Sequence, residues 1–297
     1  MTDSLLCRSG FVAIVGRPNV GKSTLLNSLV GQKLSITSRR AQTTRHRLVG
    51  ILTTGAHQFV FVDTPGYQGA HKNALNRAMN RGVTQALADV DVVLFVLEAG
   101  HFGAKDKAVA DLLPADQPTV VIVNKIDRFG SREALLPFVD RVSHARNWTA
   151  IIPVSAQRAQ NLDLALQEIG GHLPRSGLIF PEDELTDRGE RFFASEFIRE
   201  KIFRLLGEEL PYSIAVEIER FETAGRLRKI HAAVVVDRPG HKAIVIGQGG
   251  QTIKRIASEA RQDMERLFDA PVFLEVWVKV KSGWADNERL LRSLGYE

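Results

Sequence analysis

Apolar and polar positions change rhythm several times along this 297-residue chain. Short apolar runs predict buried strands near residues 11–16, 48–54, 57–63, 91–97, 119–124 and 149–154. Between them, apolar residues recur every three or four positions over 22–31, 77–88, 104–113, 131–146 and 160–172, the spacing of amphipathic helices. Strands that are apolar throughout and alternate with helices predict an α/β domain over 1–172, with a mostly parallel sheet covered on both faces. Pro174, Gly177 and Pro181, followed by an acidic run to Glu190, then mark a linker over 173–190.

The rhythm differs in the remaining residues, 191–297, and predicts a smaller α+β domain. Phe193, Phe197, Ile198, Ile202 and Leu205 form the stripe of a helix over 192–206, and two alternating strands follow at 213–221 and 229–237. An Ile-rich segment then runs into Gly247-Gln248-Gly249-Gly250. Next comes a helix whose apolar face is Ile253, Ile256, Ala260, Met264 and Leu267. A strand at 272–280 and a last short helix complete the pattern.

Chemistry enters where the strands end. Gly16-Arg17-Pro18-Asn19-Val20-Gly21-Lys22-Ser23-Thr24, directly after the first strand, contains G-x-x-x-x-G-K-S. Such a loop wraps backbone N–H groups and a helix N-terminus around phosphates. Lys22 would reach the β- and γ-phosphates, and the Ser23 hydroxyl would ligate Mg²⁺. Asp63-Thr64-Pro65-Gly66 ends another strand, placing Asp63 in the Mg²⁺ shell and the Gly66 N–H at the γ-phosphate. In the polar stretch between them, a threonine is expected to reach metal and γ-phosphate together; Thr44 is the first choice and Thr43 the alternative. Lys22, Thr44 and Gly66 are thus the residues expected to act on the reacting phosphate.

Asn124-Lys125-Ile126-Asp127 follows the fifth strand. A carboxylate at Asp127 can accept from both N1–H and the exocyclic amine of guanine, a donor pair that adenine lacks. Asn124 would hold the loop, and the Lys125 stem would lie along the base plane. Ser155-Ala156, after the sixth strand, would bring the Ala156 N–H to the guanine O6. The expected ligands are therefore GTP or GDP with Mg²⁺.

Bulk properties narrow the class. With 44% hydrophobic and 25% charged residues and no apolar run near the length of a membrane span, the chain reads as soluble and globular. The N-terminal residues lack the pattern of a secretory signal, and the single cysteine, Cys7, permits no internal disulfide; a cytoplasmic protein is expected. Net charge is +5, and residues 223–282 hold 11 basic against 6 acidic residues, a patch suited to a polyanion. Within it, the last glycine segment has Lys242, Lys254, Arg255 and Arg261 close by.

In that setting, residues 247–250 look like the G-x-x-G loop of a type II KH domain. Gly247, Gln248, Gly249 and Gly250 would approach a single-stranded RNA backbone, with Lys242, Lys254 and Arg255 beside it. The combination of G-R-P-N-V-G-K-S, T-T-R-H-R, D-T-P-G, N-K-I-D and one KH domain resembles the Era family of bacterial small-subunit assembly GTPases over essentially the whole chain. The resemblance implies a GTP-hydrolysing switch that binds 16S ribosomal RNA near its 3′ end and the 30S subunit. It also implies a peripheral inner-membrane fraction. An RNA-binding assembly factor with a mainly structural nucleotide stays open as the alternative.

Tyr67 stands where many GTPases carry a water-orienting glutamine, with Gln68 displaced by one position. Asn19 matches an asparagine that in related GTPases helps hold potassium, a further candidate ion.

Overall fold

The computed structural model describes residues 7–38, 43–67, 74–131, 133–206 and 214–284. The chain divides into two compact units, the first ending at Asp187 and the second beginning at Arg188, with the segment from Ile36 to Thr43 grouped with the second.

Six strands form the sheet of the first unit: β1 (Arg8–Val15), β2 (Leu48–Thr54), β3 (His57–Asp63), β4 (Val92–Glu98), β5 (Thr119–Asn124) and β6 (Ala150–Val154). Their order is β2-β3-β1-β4-β5-β6. The β2–β3 hairpin is antiparallel and the other neighbours are parallel. Val12 to Val15, Val92 to Leu97 and Val120 to Val123 are solvent-inaccessible, which is why their sequences are apolar on both faces. The helices of this unit are α1 (Lys22–Val30), α2 (Ala74–Ala88), α3 (Ala104–Ala110), α4 (Leu136–Ser143) and α5 (Leu162–His172).

Two helices are shorter than their periodicity predicts. The 131–146 pattern resolves into a 3₁₀ turn at Glu133–Leu135 followed by α4, because Pro137 suits a first helical turn and not an interior. α3 closes at Ala110, with Pro114 a few residues beyond.

Residues 173–187 are bonded to the first unit. The Ser9 N–H donates to Pro174 O (3.2 Å), the Gln58 amide bonds Ile179 and Phe180, and the Ile51 N–H donates to Leu185 O at 2.8 Å. Thr186 Oγ1 donates to Val49 O at 2.7 Å.

The second unit has α6 (Glu190–Leu205), β7 (Ile214–Ala224), β8 (Leu227–Val236), α7 (Pro239–Ile246), α8 (Gln251–Phe268) and β9 (Val272–Val280). β8 is central, antiparallel to β7 and parallel to β9. Ile256, Ala260 and Met264 of the expected α8 stripe are buried. The Ile-rich segment before the glycines differs from a plain connecting run: it is the end of α7, begun by Pro239 at its first turn. Four apolar residues cannot distinguish a helix from a strand by period. The expected terminal short helix lies outside the described residues, as does Gln68.

Candidate functional site

The parallel order brings the ends of β1, β3, β5 and β6 to one edge of the sheet, where such folds bind ligands. The Gly16–Ser23 loop leaves β1, and α1 starts at Lys22. Gly21 has φ +102°, and a Cβ there would come within 2.3 Å of the Asn124 amide. Only glycine allows that approach. The Lys22 ammonium is buried in the loop, donating to Gly16 O (3.0 Å) and Arg17 O (3.2 Å). Burial lowers its pKa from 10.5 to about 8; Asp63 opposes the shift and Arg17 adds to it. An amine held this way, with only carbonyl oxygens for partners, is ready to exchange them for phosphate oxygens.

Asp63 is fully buried at the end of β3. Its Oδ2 accepts from Ser23 Oγ (2.9 Å) and Ser35 Oγ (2.8 Å). Ser23 Oγ also lies 2.7 Å from Thr44 Oγ1. Thr43 instead bonds Ser38 Oγ at 2.6 Å, so Thr44 is the threonine that meets Ser23. Burial raises the Asp63 pKa, while Lys22 and the hydroxyls of Ser35, Ser23 and Thr44 pull it back. The other oxygen, Oδ1, is buried without a hydrogen-bond partner. Two hydroxyls beside a carboxylate with an unused buried lone pair form a hard-oxygen set that fits Mg²⁺. Thr64 Oγ1 anchors the turn by donating to Ile14 O at 2.9 Å, and Pro65 and Gly66 continue the chain beside Pro18. Tyr67 packs its ring against the apolar core of the sheet.

The expected base-reading residues are tied to the phosphate loop by Asn124. Its Nδ2 donates to Val20 O (2.9 Å), and its Oδ1 accepts the Ala156 N–H (3.0 Å). Lys125, at φ +69°, donates from Nζ to Asn19 O at 2.6 Å. Half-buried Asp127 accepts from Ser155 Oγ at 2.6 Å, which fixes one carboxylate oxygen and orients the group. Ser28 Oγ donates to Ala156 O at 2.7 Å and secures the last loop to α1.

Sequence reasoning missed Ser35 and Asn27. Asn27 Oδ1 accepts the N–H groups of Leu34 and Ser35, and its Nδ2 donates to Ser35 O, which places Ser35 on Asp63. The one available signal was a lone Asn among the leucines of α1.

In the second unit, the loop between α7 and α8 has three glycines at positive φ: 73° at Gly247, 57° at Gly249 and 76° at Gly250. A Cβ at Gly249 or Gly250 would meet nothing within 4 Å. The constraint at those two positions is therefore conformational, and the space beside them is open. Gln248, Lys242, Lys254 and Arg255 are exposed around the loop, with Arg255 bonded to Glu259 at 2.7 Å. Ile244 is 53% exposed beside this loop, whereas Ile246 and Ile253 are half-buried.

Comparison with known proteins agrees with this division. The 50S ribosome-binding GTPase family matches residues 11–125, and the KH domain family matches residues 209–285. The chain is 55% identical to GTPase Era of Chromobacterium violaceum, covering 100% of both chains. It is 53% identical to GTPase Era of Nitrosomonas eutropha, covering 98% of both. Two solved structures superpose with a TM-score of 0.94 at 39% identity. One is a variant of Aquifex aeolicus Era bound to GDP·AlF4⁻, covering 97% of this chain and 99% of its own. The other is Era in complex with MgGDPNP and nucleotides 1506–1542 of 16S ribosomal RNA, covering 98% and 99%.

Proposed function

The chain belongs to the Era family of GTPases, and we propose that it is a GTP-driven switch that binds the 3′ region of 16S ribosomal RNA and the 30S subunit during small-subunit assembly. The carrying observation is the convergence of Ser23 and Ser35 on one oxygen of Asp63, with Thr44 bonded to Ser23 and the other Asp63 oxygen buried without a hydrogen-bond partner. Ser23, Thr44 and Asp63 would hold Mg²⁺, which supplies positive charge to the transferring phosphoryl group. Residues 16–24 form the phosphate cradle. Lys22 exchanges its carbonyl partners for β- and γ-phosphate oxygens, and the Gly66 N–H bonds the γ-phosphate. Asp127, oriented by Ser155, accepts from the guanine edge, while Asn124 and Lys125 keep the base loop on the phosphate loop.

Thr44 supplies the switching element: its hydroxyl gains a γ-phosphate-dependent role only in the triphosphate state. Tyr67, held against the core, has no amide to orient water, so intrinsic hydrolysis is slow. Potassium beside Asn19 would supply charge at the phosphates.

In the second unit, Gly247, Gln248, Gly249, Gly250, Lys242, Lys254 and Arg255 receive the RNA backbone. The related complex with a 16S fragment supports that target. No helix among the described residues is long and apolar enough to cross a membrane; a cytoplasmic location with a peripheral inner-membrane fraction fits this reading. Phosphate release with and without 30S particles is the test. Turnover that responds to the particle supports the switch, and RNA binding indifferent to the nucleotide would favour a structural nucleotide instead.

A further inference from the structure

Five parallel strands, β3, β1, β4, β5 and β6, run to the ligand edge, and four of them end in a motif already described. The fifth, β4, lies between β1 and β5, that is, between the phosphate loop and the base loop. It ends in Glu98, whose register partner on β5 is Asn124.

We propose that Glu98 is a positioning residue that clamps the phosphate loop to the base loop and makes the two halves of nucleotide recognition act as one. Its two oxygens are divided between them. Oε2 takes the Arg17 guanidinium at 3.0 Å, and Oε1 takes the Lys125 ammonium at 3.0 Å. Arg128, more exposed, approaches Oε1 at 3.4 Å. Lys125 closes the circuit by donating to Asn19 O at 2.6 Å, so two residues of the phosphate loop are tied to one of the base loop.

Arg17 is fixed from its other side by fully buried Asp106, whose Oδ1 accepts from Nε at 3.0 Å and whose Oδ2 accepts the Gly103 N–H. Arg17 is therefore committed to two carboxylates. Its place in the machinery is to hold the loop's shape, and the phosphate charge is left to Lys22. The ion pairs are partly desolvated, with side-chain exposures of 16% at Arg17, 26% at Glu98 and 20% at Lys125. Pairs in that environment are screened less by salt than surface pairs. A loop braced before the ligand arrives loses less freedom on binding, which shows as slower dissociation.

The proposal rests on the reading of the two loops given above. Its test is a double-variant cycle in the full-length protein, using titration and dissociation kinetics of N-methylanthraniloyl-GDP. Glu98→Gln and Lys125→Met, which keeps the stem over the base, should each weaken binding about tenfold, mainly through faster dissociation. The pair together should lose little beyond Lys125→Met alone and not the product of the two, because both break the Arg17–Glu98–Lys125 linkage and only Lys125→Met also removes the bond to Asn19 O. The preference for GDP over ADP should stay within about twofold of the parent. Losses that multiply, or a Glu98→Gln variant within about twofold of the parent, would overturn the clamp. If Glu98→Gln lowers the melting temperature into the assay range, Arg17→Gln replaces it in the same cycle with the same expectation. Asp127→Asn lies outside the clamp and tests the underlying reading alone. If it leaves GDP binding and base preference intact, the base is read elsewhere and the proposal falls with it.

Discussion

The nucleotide edge and the glycine loop of the second unit both offer backbone to phosphate, yet they are built in opposite ways. At the first, loops after four strands are bolted together. Asn124 bridges Val20 and Ala156, Ser155 orients Asp127, and Ser23 and Ser35 meet on Asp63 with Thr44 held to Ser23. At the second, Gly249 and Gly250 border open space, and the surrounding lysines lie at the surface. A small ligand that must be distinguished from near-identical competitors needs polar groups fixed before it arrives. A polymer backbone needs access and charge, and can draw its specificity from groove fit over several nucleotides.

Four measurements would break or sharpen that contrast. The largest effect should come from Asp127→Asn, which exchanges one of two acceptors for a donor facing a donor edge. The mismatch is worth on the order of 2–4 kcal/mol, roughly 30- to 1,000-fold in GTP affinity by equilibrium titration. Unchanged binding with continued rejection of ATP would show that base selection does not depend on this carboxylate.

Gly249→Asp with Gly250→Asp comes next. Both positions lie at positive φ and both carboxylates would face RNA phosphate, so binding of a 16S 3′ fragment should fall by about a hundredfold. GDP affinity should stay within about twofold, because independent sites act additively. A folded double variant that binds the fragment like the parent would remove the loop from the interface.

A smaller effect follows from Lys22. With burial holding its pKa to about 8, the amine of the ligand-free protein loses its proton as pH rises, whereas bound phosphate favours the charged form. Affinity for GDP should therefore be flat below that value and fall by about tenfold per pH unit above it, through pH 9. The same lowered pKa makes the ligand-free fold bind fewer protons at this site than the unfolded chain between about pH 8 and 10.5, so this group's contribution to stability rises with pH across that window. A flat affinity profile to pH 9.5 would show that the amine keeps its proton through this range, against the lowering that burial imposes. Last, turnover in potassium should exceed that in sodium at equal ionic strength, roughly severalfold, through charge beside Asn19. Equal rates would take the ion out of the mechanism.

What could be read in the sequence was whatever is local. Gly16 to Ser23, Asp63 to Gly66 and Asn124 to Asp127 each occupy a few consecutive positions after an apolar run, and the structure gathers them because parallel strands share an edge. Ser35 and Glu98 escaped because their meaning depends on partners far along the chain, Asp63 for one, Arg17 and Lys125 for the other. A serine in a polar stretch and a glutamate at a strand end carry no periodic signal. α7 escaped for a different reason: its apolar residues are too few to define a period, and only Pro239 hints at a helix start.

The stretch after α5 has one further consequence. β2 is one of the two edge strands of the six, and a bare edge strand is a template for another chain. Residues 179–186 occupy that margin. Leu185 O takes the Ile51 N–H, Thr186 takes Val49 O, and Gln58, wholly buried, uses its amide on Ile179 and Phe180 as well as Thr53. A fragment cut at 173 would keep every nucleotide motif and still expose this margin, inviting strand-to-strand self-association. One cut at 187 would carry its own cover along β2 and associate less through that strand.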